Sequence, residues 1–290
     1  MRYNPLQLLR PLLLRRAYTA TPTPPLITKT TIPAAHTGHI TLLTLARPSA
    51  KNAISSALLR ELCEHIAPLL TPAPLSPTRA LILASNVPGV FCAGADLKER
   101  ANFTPEQTAT FLANLRGALR DISALPIPTI SAVSGLALGG GLELALATDL
   151  RVLGSRAQVG LPETRLGIIP GAGGTYRLPR LIGLSRAKDL IFTGRRVGAE
   201  EALGLGLANR VVEVSEECGD GMEEVTRVAV ELAQEICGGG PLALRMGKRA
   251  VEGGCEEAEN EAYEGVVATE DRDEALRAFR EKRKPVFKGR

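Results

Sequence analysis

Three glycine-bearing segments constrain this chain more than any other feature, because each turns the backbone where few residue types allow it. The first, Val90-Phe91-Cys92-Ala93-Gly94-Ala95-Asp96-Leu97-Lys98-Glu99-Arg100, follows the short apolar run ALILA at residues 80–84. The second is Gly135-Leu136-Ala137-Leu138-Gly139-Gly140-Gly141-Leu142-Glu143-Leu144-Ala145, with apolar residues leading in and out. The third is Leu161-Pro162-Glu163-Thr164-Arg165-Leu166-Gly167-Ile168-Ile169-Pro170-Gly171-Ala172-Gly173-Gly174-Thr175. Glycine and alanine let the backbone turn sharply and let a ligand approach it closely. An apolar run bounded by turn signals predicts a strand buried on both faces.

The surrounding pattern alternates between strand and helix. Residues 39–46, 80–84, 129–133 and 149–153 read as strands. Ile54, Leu58, Leu62 and Ile66 recur every four residues and predict an amphipathic helix that Pro68, Pro72, Pro74 and Pro77 end. Further helices are expected over 105–123, 141–147, 185–192 and 223–237. Residues 19–33 are rich in Pro and Thr and read as a linker. After Gly238-Gly239-Gly240 the chain becomes charged and helical. The pattern predicts an α/β core with a helical C-terminal part and no internal sequence repeat.

Charge and composition narrow the function. The net charge is +4, yet the first acidic residue is Glu61, while Arg2, Arg10, Arg15 and Arg16 crowd the start. Without residues 1–18, bases and acids balance at 31 each. An Arg- and Leu-rich, acid-free start predicts a mitochondrial targeting segment and a matrix location, with Arg16-Ala17-Tyr18 resembling a processing site. Aromatic residues make up 3% and there is no Trp, which argues against recognition by stacked bases. No stretch approaches the roughly 20 apolar residues of a membrane span. His36, His39 and His65 form no HExxH, and the five cysteines form no CxxC, so no metal is expected. GxGxxG, the P-loop and GxSxG are missing, and Ser185…Lys188 matches SxxK without its companion motifs.

The glycine segments offer chemistry of another kind. A backbone N–H near Gly94 and Ala95 can donate to a developing oxyanion, or the segment can be a plain strand-to-helix turn. The helix after Gly139-Gly140-Gly141 presents free N–H groups to anionic oxygen. Glu143, among Leu and Ala, reads either as an acid–base group with a raised pKa or as a first-turn carboxylate complementing the helix dipole. Glu163 is a second carboxylate between apolar segments, which on its own reads as an exposed loop residue.

Six blocks in order, ARPSAKNA (46–53), PGVFCAGADLKER (88–100), SGLALGGGLELA (134–145), LPETRLGIIPGAGGTYRLPRLIG (161–183), FTGRRVGAEEALGLGLANRVV (192–212) and AFREKRKPVFKG (278–289), resemble the enoyl-CoA hydratase/isomerase (crotonase) superfamily. The resemblance implies a crotonase-like spiral of ββα units over residues 36–222 and a helical trimerisation region over 223–290, after a targeting segment (1–18) and linker (19–35). Trimers or hexamers are implied with it. It places oxyanion-hole N–H groups at Ala95 and Gly140 and the two catalytic carboxylates at Glu143 and Glu163. Ala93, Gly94, Asp96, Leu97, Lys98, Arg100, Gly139 and Gly171 are implied around the acyl-CoA, with Lys282 reaching a neighbouring subunit's CoA. No cofactor is implied beyond the coenzyme A of the substrate itself.

Within the superfamily the wording is most similar to the mitochondrial methylglutaconyl-CoA hydratases and their enoyl-CoA hydratase relatives. The implied reaction is water addition to an enoyl-CoA thioester, with 3-methylglutaconyl-CoA of leucine degradation first. General short-chain enoyl-CoA hydration and double-bond isomerisation are the alternatives. A non-catalytic scaffold of the same fold is disfavoured by retention of both glutamates. RNA binding is the remote alternative, because the helix over 54–70 carries Arg60 beside Glu61 and Glu64.

Overall fold

The computed structural model describes residues 24–70, 77–215, 219 and 221–290. The expected targeting segment lies outside the described residues. The described chain begins with an antiparallel pair, β1 (Ile27–Pro33) and β2 (His39–Leu45), in register from Ile27 opposite Leu45 to Pro33 opposite His39. The linker expected over 19–33 is therefore a strand in its second half. ITKTTIP is rich in β-branched residues, and β1 is an edge strand on which a terminal Pro33 is tolerated. Helix α1 (Ser56–Leu70) buries Leu58, Leu59, Leu62, Ile66 and Leu69. It runs through Pro68, which was expected to end it. A proline in the last turn forfeits one backbone bond, while Leu69 remains buried beyond it.

From there one unit recurs three times: a strand of a large sheet, a short strand of a second sheet, then a helical turn. β3 (Thr78–Ser85) leads to β4 (Val90–Cys92), α2 (Leu97–Arg100) and α3 (Pro105–Ser123). β5 (Thr129–Val133) leads to β6 (Leu136–Leu138) and α4 (Gly140–Leu146). β7 (Leu150–Gly154) leads to β8 (Gln158–Gly160), a 3-10 turn over Glu163–Leu166 and α5 (Gly174–Ile182). α6 (Leu184–Thr193), β9 (Arg196–Gly198), α7 (Ala199–Leu205) and β10 (Arg210–Val212) complete the two sheets.

The large sheet has the order β1-β2-β3-β5-β7-β10 and is parallel from β2 onward. The small sheet has the order β4-β6-β8-β9, antiparallel only at β9. This is the ββα recurrence that the family resemblance implied. It repeats in geometry without repeating in sequence, because only the order of strand, turn, strand and helix is shared.

The ALILA strand shows why the core is two-sided. Leu81 and Leu83 join a cluster with α1 and α3, while Ala80, Ile82 and Ala84 pack against Val225, Ala229 and Ala233 of α8 (Met222–Cys237). α8, which the sequence grouped with the C-terminal helices, thus covers the large sheet. α9 (Pro241–Gly253), α10 (Glu256–Val267) and α11 (Glu270–Arg280) follow. Asp271 of α11 is buried and accepts the N–H groups of Lys288 and Gly289, tying down the end of the chain. No helix among the described residues is long and apolar enough to cross a membrane.

Candidate active site

Because β4, β6 and β8 run parallel, their C-terminal ends deliver the three glycine-bearing segments to one place. A cavity of about 600 Å³ opens there, the size of a small-molecule site. Close approach of the segments depends on glycine. A Cβ on Gly141 would stand 2.1 Å from the Cys92 carbonyl oxygen, so only glycine lets α4 seat against β4. Gly139 has φ +52°, and a Cβ there would stand 2.9 Å from Glu163 Oε1.

Two backbone donors meet in the cavity wall. Ile54 bridges to the first segment, its N–H donating to Gly94 O at 2.7 Å and its carbonyl accepting from Asp96 N–H at 3.0 Å. That pairing leaves the N–H of Ala95, between them, on the side away from Ile54. Gly140 opens α4, so its N–H has no partner within the helix. A Cβ on Gly140 would lie 3.5 Å from the Ala95 nitrogen, which makes the two amides neighbours. Both residues line the cavity. Paired N–H groups of this kind can hold one oxygen as it becomes negative.

Two buried carboxylates complete the site. Glu143 sits in the first turn of α4, 2% exposed, and its Oε1 accepts the N–H groups of Ala172 and Gly174, each at 2.8 Å. Burial pushes this carboxyl above the usual range, and the Gly174 and Ala172 bonds and the charges of Arg177 and Arg116 pull it back. Glu163 begins the 3-10 turn and is also buried. Its Oε2 has no hydrogen-bond partner. Burial, with the Glu143 charge adding to it, pushes Glu163 up to about 7, against a weaker pull from its own backbone N–H. Of the two, Glu143 has the partners of an anion and Glu163 the surroundings of a neutral acid. Together with the paired N–H donors, they can move a proton on and off a substrate whose carbonyl becomes negative.

The whole-chain comparisons agree with this geometry. The enoyl-CoA hydratase/isomerase family model matches residues 35–290. The chain belongs to the enoyl-CoA hydratase/isomerase family. It is 53% identical to a mitochondrial methylglutaconyl-CoA hydratase 1 of Pyricularia oryzae, over 93% of this chain and 88% of that one. It is 58% identical to an enoyl-CoA isomerase/hydratase of Zymoseptoria tritici, over 89% of this chain and 87% of that one. The crystal structure of an enoyl-CoA hydratase from Bacillus anthracis superimposes with a TM-score of 0.83 at 41% identity, covering 92% of this chain and all of the other.

In this member of the family the cavity brings together most of the expected site residues. Ala93, Gly94, Ala95, Leu97 and Arg100 line it from the first segment, Gly139, Gly140 and Glu143 from the second, and Glu163 and Gly171 from the third. Three expected residues lie outside its lining. Asp96 is the N-cap of α2: it accepts from Lys98 N–H and Glu99 N–H at 3.1 Å each and pairs with Arg47 at 2.8 Å. Burial alone would push the Asp96 carboxyl up, but the Glu99 bond and the Arg47 guanidinium hold it below the usual range. An acceptor so fully engaged serves the fold rather than a CoA group. Lys98 is exposed on α2 and Lys282 follows α11 with φ +53°; neither lines this chain's own cavity.

Sequence reasoning missed the opposite wall. Thr108, Leu112, Leu115 and Arg116 reach the cavity from α3, and Arg177 of α5 stands near Glu143. The α3 pattern 108, 112, 115 marks a face, but nothing in it says what the face meets. On α1, Arg60 lies 4.0 Å from Glu64, and Glu61 accepts the N–H groups of Leu26 and Ile27, so this helix offers no basic stripe for nucleic acid. Among the described residues no group of three or more His, Cys, Asp or Glu could hold a metal ion.

Proposed function

We propose that this enoyl-CoA hydratase adds water across the 2,3 double bond of 3-methylglutaconyl-CoA in the mitochondrial matrix, within leucine degradation. The observation that carries the reaction is the pair of buried carboxylates, in contrasting surroundings, beside two neighbouring N–H donors. Glu143 deprotonates a water, whose oxygen bonds to Cβ. The π electrons move toward the thioester, and the Ala95 and Gly140 N–H groups hold its oxygen as an enolate. Glu163 then gives its proton to Cα, so that the net addition is H to Cα and OH to Cβ. Double-bond migration needs only one carboxylate to carry the proton, and the retention of two favours hydration.

The substrate reading draws on Arg100. It lines the cavity with its guanidinium 5.8 Å from the Phe111 ring centre, a cation available to a distal carboxylate. Similarity to the Pyricularia methylglutaconyl-CoA hydratase supports the same substrate. Coenzyme A enters as part of that substrate and no resident cofactor takes part. Exposed apolar side chains on the C-terminal helices, Val251 and Phe279 each at 83%, are consistent with a homotrimer or hexamer.

Residues 19–290 are assayed for water addition to 3-methylglutaconyl-CoA and crotonyl-CoA side by side, with Glu143→Gln and Glu163→Gln as controls. Preference for the branched diacid, lost in both variants, supports the substrate and the two-carboxylate mechanism together. Turnover of crotonyl-CoA alone refutes the substrate assignment and leaves general short-chain hydration. Isomerisation without hydration refutes the reaction.

A further inference from the structure

Two arginines around Glu143 have no part in the steps above. Arg116, on α3, donates its Nε to Gly171 O at 2.6 Å. Arg177, on α5, donates Nη1 to Ala172 O at 3.0 Å and Nη2 to Leu119 O at 3.2 Å. The Gly171 and Ala172 carbonyls lie in the turn whose N–H groups hold Glu143.

The Arg116 contact is the more telling. Gly171 C=O and Ala172 N–H are opposite ends of one planar peptide unit. Arg116 holds the oxygen end while Glu143 Oε1 accepts from the nitrogen end at 2.8 Å. A cation on the carbonyl draws electron density toward the oxygen and makes the N–H a stronger donor. The fixed peptide plane also sets the direction from which that N–H meets the carboxylate.

We propose that Arg116 is a positioning residue, which fixes and polarises the Gly171–Ala172 peptide so that the Glu143 carboxyl is held in place and aimed at the attacking water. The inference rests on the assignment of Glu143 as the base. The charged groups facing Glu143 are Arg116 from α3, Arg177 from α5 and Glu163 from the 3-10 turn. The two arginines favour its ionised form, so loss of Arg116 leaves Glu143 protonated to higher pH. Arg116 is an exposed residue that also lines the cavity. A rival role is therefore direct contact with a charged group of the substrate, and the two roles separate kinetically.

The test compares Arg116→Gln and Arg116→Lys with the unsubstituted protein, measuring kcat and KM for crotonyl-CoA and 3-methylglutaconyl-CoA across pH. Arg116→Gln is expected to lower kcat about 10- to 100-fold with KM within about twofold, the cost of a slightly misplaced base. The acidic limb of the pH profile moves to higher pH. Arg116→Lys, which keeps a cation and a donor, recovers part of the rate and moves the limb back. A rise in KM at unchanged kcat overturns the proposal and makes Arg116 a substrate contact. An acidic limb that does not move also overturns it, since a purely structural loss would lower the rate at every pH alike. Hydration that survives Glu143→Gln refutes the base assignment instead, so the two failures are distinguishable.

Discussion

Replacing Gly141 by alanine tests how the N–H groups of Ala95 and Gly140, the proposed oxyanion donors, are brought together. The new Cβ would stand 2.1 Å from Cys92 O, 2.8 Å from Cys92 C and 2.9 Å from Cys92 Cβ. A Cβ essentially never sits closer than 3.0 Å to another heavy atom, so α4 and β4 must part by about 1 Å. Cys92 is fully buried at 0% exposure, and the neighbouring core cannot absorb the shift without strain. Overpacking of this kind costs about 1–3 kcal/mol, or roughly 2–4 °C of melting temperature per kcal/mol. The catalytic effect is larger. Ala95 lies three residues beyond Cys92, and Gly140 directly precedes the substituted position. A separation of their N–H groups by about 1 Å spoils the shared reach of about 3 Å to one oxygen and is expected to lower kcat about 100-fold.

The assay is hydration of crotonyl-CoA alongside thermal unfolding, with Gly204→Ala as the control. Gly204 lies in α7, and no atom comes within 4 Å of where its Cβ would stand, so alanine there is neutral or slightly stabilising. Gly141→Ala that retained full kcat would refute the assignment of Ala95 and Gly140 as paired donors. A melting temperature equal to that of Gly204→Ala would show that the β4–α4 contact is not tight.

Four further outcomes follow from the same geometry. Hydration should fall as pH rises through about 7, where Glu163 loses the proton it must deliver, and a rate that stays flat to about pH 9 would exclude it as the acid. Glu163 holds its proton more tightly in the folded chain than in the unfolded one, so its contribution to stability is complete below pH 4.5 and lost as pH rises through about 7. Glu163→Gln should therefore abolish hydration yet melt higher than the unsubstituted protein at about pH 8, by about 2–3 kcal/mol in calorimetry. Gly139→Ala should displace the Glu163 carboxylate and add about 1–3 kcal/mol of backbone strain; normal kcat would show that Glu163 need not sit against Gly139. Asp96→Ala should destabilise the fold by about 2–3 kcal/mol through the lost cap and Arg47 pair, with free CoA still binding at unchanged Kd; weakened CoA binding would restore Asp96 as a ligand contact.

Local pattern alone settled much of this protein. α3 occupies Pro105–Ser123 as expected, because Pro105 at its first position and the Thr104–Gln107 capping box are encoded within four residues. The buried strand at ALILA and the glycine turns were legible for the same reason: period, turn chemistry and composition are properties of neighbouring residues. The burial of Glu163 was not, since by itself it read as an exposed loop residue. The family likeness then supplied the roles, and the structure brings Ala95, Gly140, Glu143 and Glu163 to one cavity.

What depended on distant parts of the chain was not legible. β4, β6 and β8 are three residues each, too short for a period of two, and are strands only because they pair with one another. The resemblance implied Asp96 around the acyl-CoA, while its pairing with Arg47 came only with the fold. Arg116 reads on its own as a solvated helix residue, and its partner Gly171 lies 55 positions away. Glu143 and Glu163 are the same residue type in similar apolar surroundings. The difference in their folded surroundings is made by two N–H groups and two arginines that only the folded chain delivers to Glu143.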